Sequence, residues 1–156
     1  MTVSSKLTAV ILCGGKGERL RPLTTSIPKP LIPILGKPMI ERAIESLGFQ
    51  EATFIFVVRK YNNPTFNSTL KATLTRLRKD AKVIAINYLT EGPSCTCLLA
   101  KEYINNDDAL IIANCDQIME WDDQAFLEHV RKTNCDGAFV TYYSNTPKNS
   151  YAKLDE

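Results

Sequence analysis

No stretch of the chain approaches the ~20 consecutive apolar residues needed to cross a bilayer. The longest apolar runs, Phe54 to Val58 and Ala109 to Ala113, are strand-sized, so no membrane-spanning helix is expected. The first residues, Met1-Thr2-Val3-Ser4-Ser5-Lys6, lack the basic start, long apolar stretch and small-residue cleavage site of a signal peptide, which points to a cytoplasmic location. Histidine is almost missing: the single one, His129, stands between Glu128 and Val130 without a partner at ligand spacing and reads as structural. The five cysteines (Cys13, Cys95, Cys97, Cys115, Cys135) are odd in number, and Cys95-Thr96-Cys97 does not have a zinc spacing. Reduced thiols fit better than a disulfide framework or a structural zinc site. A net charge of +2 falls short of the clustered basicity of a nucleic-acid binder. No repeat, heptad pattern, low-complexity tract or linker divides the chain, so one domain over residues 1–156 is expected. With 44% hydrophobic residues, that domain can bury one substantial core.

The distribution of charge says more than its sum. From Cys13 to Arg42 there are six basic residues (Lys16, Arg19, Arg21, Lys29, Lys37, Arg42) against Glu18 and Glu41. From Lys101 to Glu128 there are eight acidic residues (Glu102, Asp107, Asp108, Asp116, Glu120, Asp122, Asp123, Glu128) against Lys101 alone. Most such residues are solvated faces of helices and loops. The pattern also accommodates an anion site early and a cation site later.

Strand-length apolar runs recur at Thr8–Leu12, Thr53–Val58, Val83–Tyr88, Leu110–Ala113 and Ala138–Tyr143. Between them, Pro38 to Gly48 sets Met39, Ile40, Ala43, Ile44 and Leu47 on one stripe, with proline at the start and glycine at the end of a helix. Phe66–Lys79, Ser94–Ile104 and Asp122–Lys132 also carry helical spacing. Strands alternating with helices predict βαβ units, hence an α/β fold with a mostly parallel sheet covered on both faces.

Ligands of open α/β sheets bind beyond the carboxyl ends of the strands. After the first strand comes Cys13-Gly14-Gly15-Lys16-Gly17-Glu18-Arg19-Leu20-Arg21-Pro22-Leu23, whose glycines let the backbone approach phosphate oxygens. A dinucleotide fingerprint would need glycine where Leu20 stands, and a P-loop would need Ser or Thr where Gly17 stands. The wider pattern adds Pro28-Lys29-Pro30-Leu31 and Gly36-Lys37-Pro38-Met39-Ile40. Together these segments resemble the signature of the sugar-phosphate nucleotidyltransferases, the enzymes that make nucleotide-activated sugars.

The resemblance implies a three-layer, Rossmann-like nucleotide-diphospho-sugar transferase fold. It assigns nucleotide binding to Leu12, Cys13, Gly14, Gly15 and Gly17, the triphosphate grip to Arg19, and contact with the reacting phosphates to Lys29. The chemistry agrees with these roles: arginine offers a rigid fork of donors matched to phosphate, and lysine a compact charge where charge builds up. Pro28 and Pro30 stiffen the backbone on either side of Lys29. Arg21, Lys16 and Lys37 read as surface cations. Cys13 stands where relatives often have alanine and reads as a small buried thiol, not a nucleophile.

In the family a glycine-containing loop closes over base and ribose. This implies roles for Glu91 and Gly92 in Thr90-Glu91-Gly92-Pro93-Ser94. The residues alone are equally consistent with the start of a helix, with Pro93 in its first turn and Ser94 or Thr96 satisfying open backbone donors. Asp116 follows the apolar run Ala109–Ala113, which is expected to form a buried strand, and a carboxylate at the end of such a strand needs a partner. Mg²⁺, which prefers one or two carboxylates plus substrate phosphates, is the expected one. The family often has glycine just before this aspartate, whereas here Asn114 and Cys115 precede it. Asp122 and Asp123 read as the negative start of the next helix.

The implied reaction is attack by a sugar 1-phosphate on the α-phosphorus of a nucleoside triphosphate, with release of pyrophosphate and with Mg²⁺ as cofactor. The family's second metal aspartate and its Glu-Lys sugar-phosphate motif lie beyond the span matched here, so the resemblance covers the front part of a catalytic domain, truncated at its C-terminal side. Two other readings stand beside it: a nucleotide-binding regulatory module without full catalysis, and a glycosyltransferase that consumes nucleotide sugars. Base, sugar and oligomeric state, a homo-oligomer included, are left open.

Overall fold

The computed structural model describes residues 6–147 and 149–153. The chain divides into two compact units, residues 1–123 and 124–156.

In the first unit, β1 (Leu7–Cys13) leads through a 3₁₀ turn (Glu18–Leu20), α1 (Leu23–Ser26) and a second 3₁₀ turn (Lys29–Leu31) to the small hairpin β2 (Pro33–Ile34) and β3 (Lys37–Pro38). Then follow α2 (Met39–Leu47), β4 (Thr53–Arg59), α3 (Pro64–Leu77), β5 (Lys82–Ile86), α4 (Pro93–Leu98), α5 (Lys101–Ile104) and β6 (Ala109–Asn114). The main sheet is wholly parallel in the order β5-β4-β1-β6. This is the α/β architecture expected from the alternation of strand and helix periods.

The order fixes where the helices go. From β1 the chain steps to β4 and β5 in one direction, then returns past β1 to β6. Because βαβ crossovers are right-handed, α2 and α3 take one face and α4 with α5 the other. Alternate strand residues match this assignment. Val10, Leu12, Ile55, Val57 and Ile86 form a core with Cys97 and Ala100 from the α4–α5 side. Ala9, Ile11, Cys13, Phe54, Phe56 and Val58, which alternate with them, are buried toward the opposite face, where the guanidinium of Arg78, just past α3, lies 4.4 Å over the Phe54 ring.

The stripe expected for α2 is the one observed, with Met39, Ile40, Ala43, Ile44 and Leu47 all buried. Two charged links hold this helix to its surroundings: Arg76 Nη2 of α3 is 2.6 Å from Glu41 Oε2, and Arg42 donates to the carbonyls of Ile34 and Leu35 in the hairpin. The segment after β6 is pinned to the end of α2. Trp121 donates through Nε1 to the Ser46 carbonyl at 2.8 Å and stands edge-on to Phe49.

Two sequence expectations need correction. Ser94 to Ile104 is not one helix: at Leu99 and Ala100 the amides bond three residues back, to Thr96 and Cys97, and this tightening separates α4 from α5. Ala100, fully buried in the core, sits at the break. Ala138 to Tyr143 is not a strand: it has no ladder partner among the described residues, and Phe139, Tyr142 and Tyr143 are exposed. A strand needs a neighbour to satisfy its backbone, and β propensity alone cannot supply one.

The second unit contains nearly all of α6 (Asp123–Thr133), whose Phe126, Leu127 and Val130 are only partly buried, followed by turns in which Tyr151 donates to the Thr146 carbonyl. His129 lies within α6, where its carbonyl accepts from the Thr133 hydroxyl. Among the described residues no helix is long and apolar enough to cross a membrane, and none of the five cysteines forms a disulfide.

Candidate active site

In an open α/β sheet the crevice opens where the strand order reverses. Here that point lies between β1 and β6, so the segments leaving Cys13 and Asn114 face each other. A cleft of about 730 Å³ lies there, within the 300–1,000 Å³ usual for small-molecule sites.

The glycine loop builds one wall. Gly14, Gly15 and Gly17 all line the cleft with Leu12. A Cβ on Gly15 would meet nothing within 4 Å, so its backbone is open to an incoming ligand. Gly17 has φ +66, and a Cβ there would stand 2.8 Å from Thr24 Cγ2 and 3.3 Å from Lys29 Cβ. Glycine is thus required both for the turn and for the close approach of the Lys29 segment. The Gly17 carbonyl accepts from Leu20 N–H and from the Thr24 hydroxyl, which folds the 3₁₀ turn carrying Arg19 back over the loop.

Lys29 enters from the second 3₁₀ turn, anchored by the fully buried Pro30. Its Nζ reaches Asp116 Oδ2 at 2.6 Å, with the lysine side chain 15% and the aspartate 33% exposed. Cation and carboxylate, 87 residues apart in sequence (116 minus 29), therefore meet across the cleft. Of the six early basic residues, Lys16, Arg19 and Lys29 line it. Lys37 instead pairs with Glu41 and Glu45, and Arg42 with the hairpin. Of the eight later acidic residues, only Asp116 lines it.

Not every residue named from the sequence presents its side chain to the cleft. Cys13 is buried at the end of β1, and Glu91 is not among the lining residues, although Gly92 is. Cys13 and Cys115 follow the paired residues Leu12 and Asn114, with Cys115 N–H donating to the Leu12 carbonyl at 3.2 Å. The hydrogen bond to Cys115, then burial, pushes the Cys13 thiol well above its usual range. A thiol held protonated in this way is a poor nucleophile.

Lys16, Thr90, Pro93, Thr96 and Asn114 also line the cleft. Lys16 was legible only as a surface cation, and it does pair with Glu18 at 3.7 Å. Thr90 and Thr96 have no sequence signal that separates them from ordinary loop and helix-cap threonines. At Gly92 a helix does begin, with Pro93 in the first turn of α4, but no side chain caps it: the Thr96 hydroxyl bonds the Gly92 carbonyl instead of an open backbone donor. Gly92 also lines the cleft.

No group of three or more His, Cys, Asp or Glu side chains clusters for metal binding among the described residues. That rules against an all-protein cage there. Two carboxylates, Glu18 and Asp116, line the cleft beside Lys16, Arg19 and Lys29, and Glu18 is paired with Lys16. An ion such as Mg²⁺, which takes one or two carboxylates and its remaining ligands from waters and substrate phosphates, is compatible with that set.

Comparison with known proteins agrees with this geometry. The profile of the nucleotidyl transferase family matches residues 8–152. The bifunctional protein GlmU of Methanocaldococcus jannaschii is 36% identical over 123 residues, covering 79% of this chain and 28% of the relative. The mannose-1-phosphate guanyltransferase of Aspergillus oryzae is 30% identical over 146 residues, covering 90% of this chain and 39% of the relative. Among solved structures, HddC from Yersinia pseudotuberculosis has a TM-score of 0.60 at 29% identity, covering 79% of this chain and 53% of that one. The chain thus spans well under half the length of these curated relatives.

Proposed function

The chain belongs to the nucleotidyl transferase family, and from that premise we propose that its cleft binds a Mg²⁺–nucleoside triphosphate for transfer of the nucleotidyl group to a sugar 1-phosphate. The observation that carries this reading is the convergence of an open glycine loop, Arg19, Lys29 and Asp116 on one cleft at the switch point of the sheet.

The residues have separable tasks. Backbone N–H groups from Leu12 to Gly17 bind phosphate oxygens, as a glycine-rich turn after a parallel strand does. Arg19 orients the triphosphate with its fork of donors, and Lys29 places a compact charge beside the phosphates that react. A phosphate oxygen of the acceptor forms a bond to the α-phosphorus, the bond to the β-phosphate oxygen breaks, and pyrophosphate leaves. Asp116 would hold Mg²⁺, which neutralises charge on the phosphates. The rest of the catalysis is alignment of two anions that repel each other in water.

A second reading is a nucleotide-binding module without turnover, since every residue assigned above acts on the triphosphate or its metal and none on the sugar of the acceptor. Pyrophosphate release, measured with a panel of triphosphates and sugar phosphates, separates the two. Release establishes the transferase, triphosphate binding without release establishes the module, and failure to bind any triphosphate overturns both. The cytoplasm, where such substrates are made, is the proposed location.

A further inference from the structure

The cleft has two chemically different walls. Lys16, Arg19 and Lys29 line one, with Glu18 and Asp116 paired to the two lysines, whereas Leu89, Thr90, Gly92 and Pro93 make the other without a charged side chain. Phosphates belong to the first wall; the second, uncharged and partly apolar, suits a base and ribose. How this second wall is held in place is a question of hydrogen bonds, because sterics do not hold it. Gly92 is fully extended at φ 177 and ψ 178, and a Cβ there would meet nothing within 4 Å.

Two hydroxyls supply the constraint. Thr96 is buried in the first turn of α4, and both its N–H and its hydroxyl bond the Gly92 carbonyl at 3.0 Å. Thr90 Oγ1 lies 2.5 Å from Thr96 Oγ1 and 3.3 Å from the same carbonyl. A hydroxyl has one proton to donate. With two protons between them, one hydroxyl donates to the Gly92 carbonyl and the other to its neighbouring hydroxyl. The two hydroxyls and the Gly92 carbonyl tie the start of the loop, at Thr90, to the first turn of α4.

We propose that Thr90 is a positioning residue: through Thr96 and the Gly92 carbonyl it fixes the Leu89–Pro93 loop as the nucleoside-side wall of the cleft, independently of the phosphate grip. This rests on the nucleotide reading above. It predicts that loss of the Thr90 hydroxyl weakens recognition of the nucleoside and spares recognition of the phosphates.

The test compares the unmodified chain with Thr90→Val and Thr90→Ser by calorimetry in Mg²⁺, using nucleoside triphosphates and inorganic tripolyphosphate as probes. Thr90→Val is expected to bind the preferred triphosphate about five- to tenfold more weakly, the scale of one lost hydrogen bond. Tripolyphosphate affinity stays unchanged, and Thr90→Ser restores triphosphate binding. Equal triphosphate affinity in Thr90→Val overturns the proposal. Parallel loss of both probes also overturns it, because that is the signature of general destabilisation. If Thr90→Val does not fold, Thr90→Ala gives the same comparison without a branched side chain to misfit. Absence of triphosphate binding by the unmodified chain is a different result: it removes the nucleotide reading itself.

Discussion

Lys29 Nζ and Asp116 Oδ2 stand 2.6 Å apart, so the two side chains assigned opposite tasks in the cleft are each other's partner. Each carries a charge that a half-buried site tolerates poorly alone. A triphosphate with its metal offers both of them new partners at once: phosphate oxygens for the lysine and a cation for the carboxylate.

Lys29→Met and Asp116→Asn are therefore expected to weaken Mg²⁺–triphosphate binding by about 10- to 100-fold each, the range of one charge-assisted interaction. The effects should be less than additive, because the two side chains are each other's partner and either substitution already breaks the pair. Calorimetry on the two single variants and the double variant checks this, and near-normal binding by either single variant removes the site assignment.

The loop glycines should both affect affinity but differ in their effect on stability. At Gly17, with φ +66 and a Cβ only 2.8 Å from Thr24 Cγ2, alanine strains the backbone by about 1–2 kcal/mol. It also pushes on Lys29, so melting temperature and triphosphate affinity fall together. Gly15→Ala has open space around it; the melting temperature should hold while the new methyl group reduces triphosphate affinity.

Gly48, with φ +84 at the end of α2, is the sharpest packing constraint outside the cleft, since a Cβ there would overlap the Asp123 carboxylate. Gly48→Ala should lower the unfolding midpoint. Fluorescence of Trp121, the chain's single tryptophan, reads it directly, since its indole is bonded to Ser46 two residues away. An unchanged midpoint would show that the contact with Asp123 is dispensable.

Acid stability should depend on Glu41. The Arg76 guanidinium bonded to it, with help from Lys37 and Arg42, holds its carboxyl below the usual range despite burial. A folded pKa below the unfolded value of about 4.3 contributes stability that is present above that pH and lost as pH falls through the folded value. Denaturation midpoints of Glu41→Gln should therefore fall less on acidification below about pH 4.3 than those of the unmodified chain. Parallel pH profiles would contradict this.

At the alkaline end the sign reverses. Burial pushes the Tyr61 phenol up to about 12, above the unfolded value of about 10, so its contribution is complete below about pH 10 and is lost as pH rises through the folded value. Phenol absorbance should show one tyrosine titrating later than the rest, and Tyr61→Phe should abolish that late component.

Much of this molecule was legible along the chain. The stripe of α2 is a local pattern, and burial of all five of its apolar residues follows from their spacing. The four sheet strands lie close to where the apolar runs placed them. The central β1 and β4 are buried almost throughout, as parallel strands covered on both faces are, whereas the edge strands β5 and β6 keep exposed residues. Gly17 and Lys29 stood out through a motif whose spacing is itself a geometric requirement. The apolar run Ala138–Tyr143 misled, since a strand is made by its neighbour, and Leu99–Ala100 hid a break set by the seating of Ala100 in the core.

By itself, then, the sequence determined most of the elements, the α/β class and the glycine loop that follows β1, all of which depend on local spacing and side-chain chemistry. Only the tertiary structure decided that β6 lies beside β1, bringing Asp116 to Lys29 and opening the cleft between them. It also decided that the hydroxyls of Thr90 and Thr96 join behind Gly92. Strand order and hydroxyl direction depend on contacts between segments distant in sequence or on the precise path of a loop, and no local periodicity encodes either.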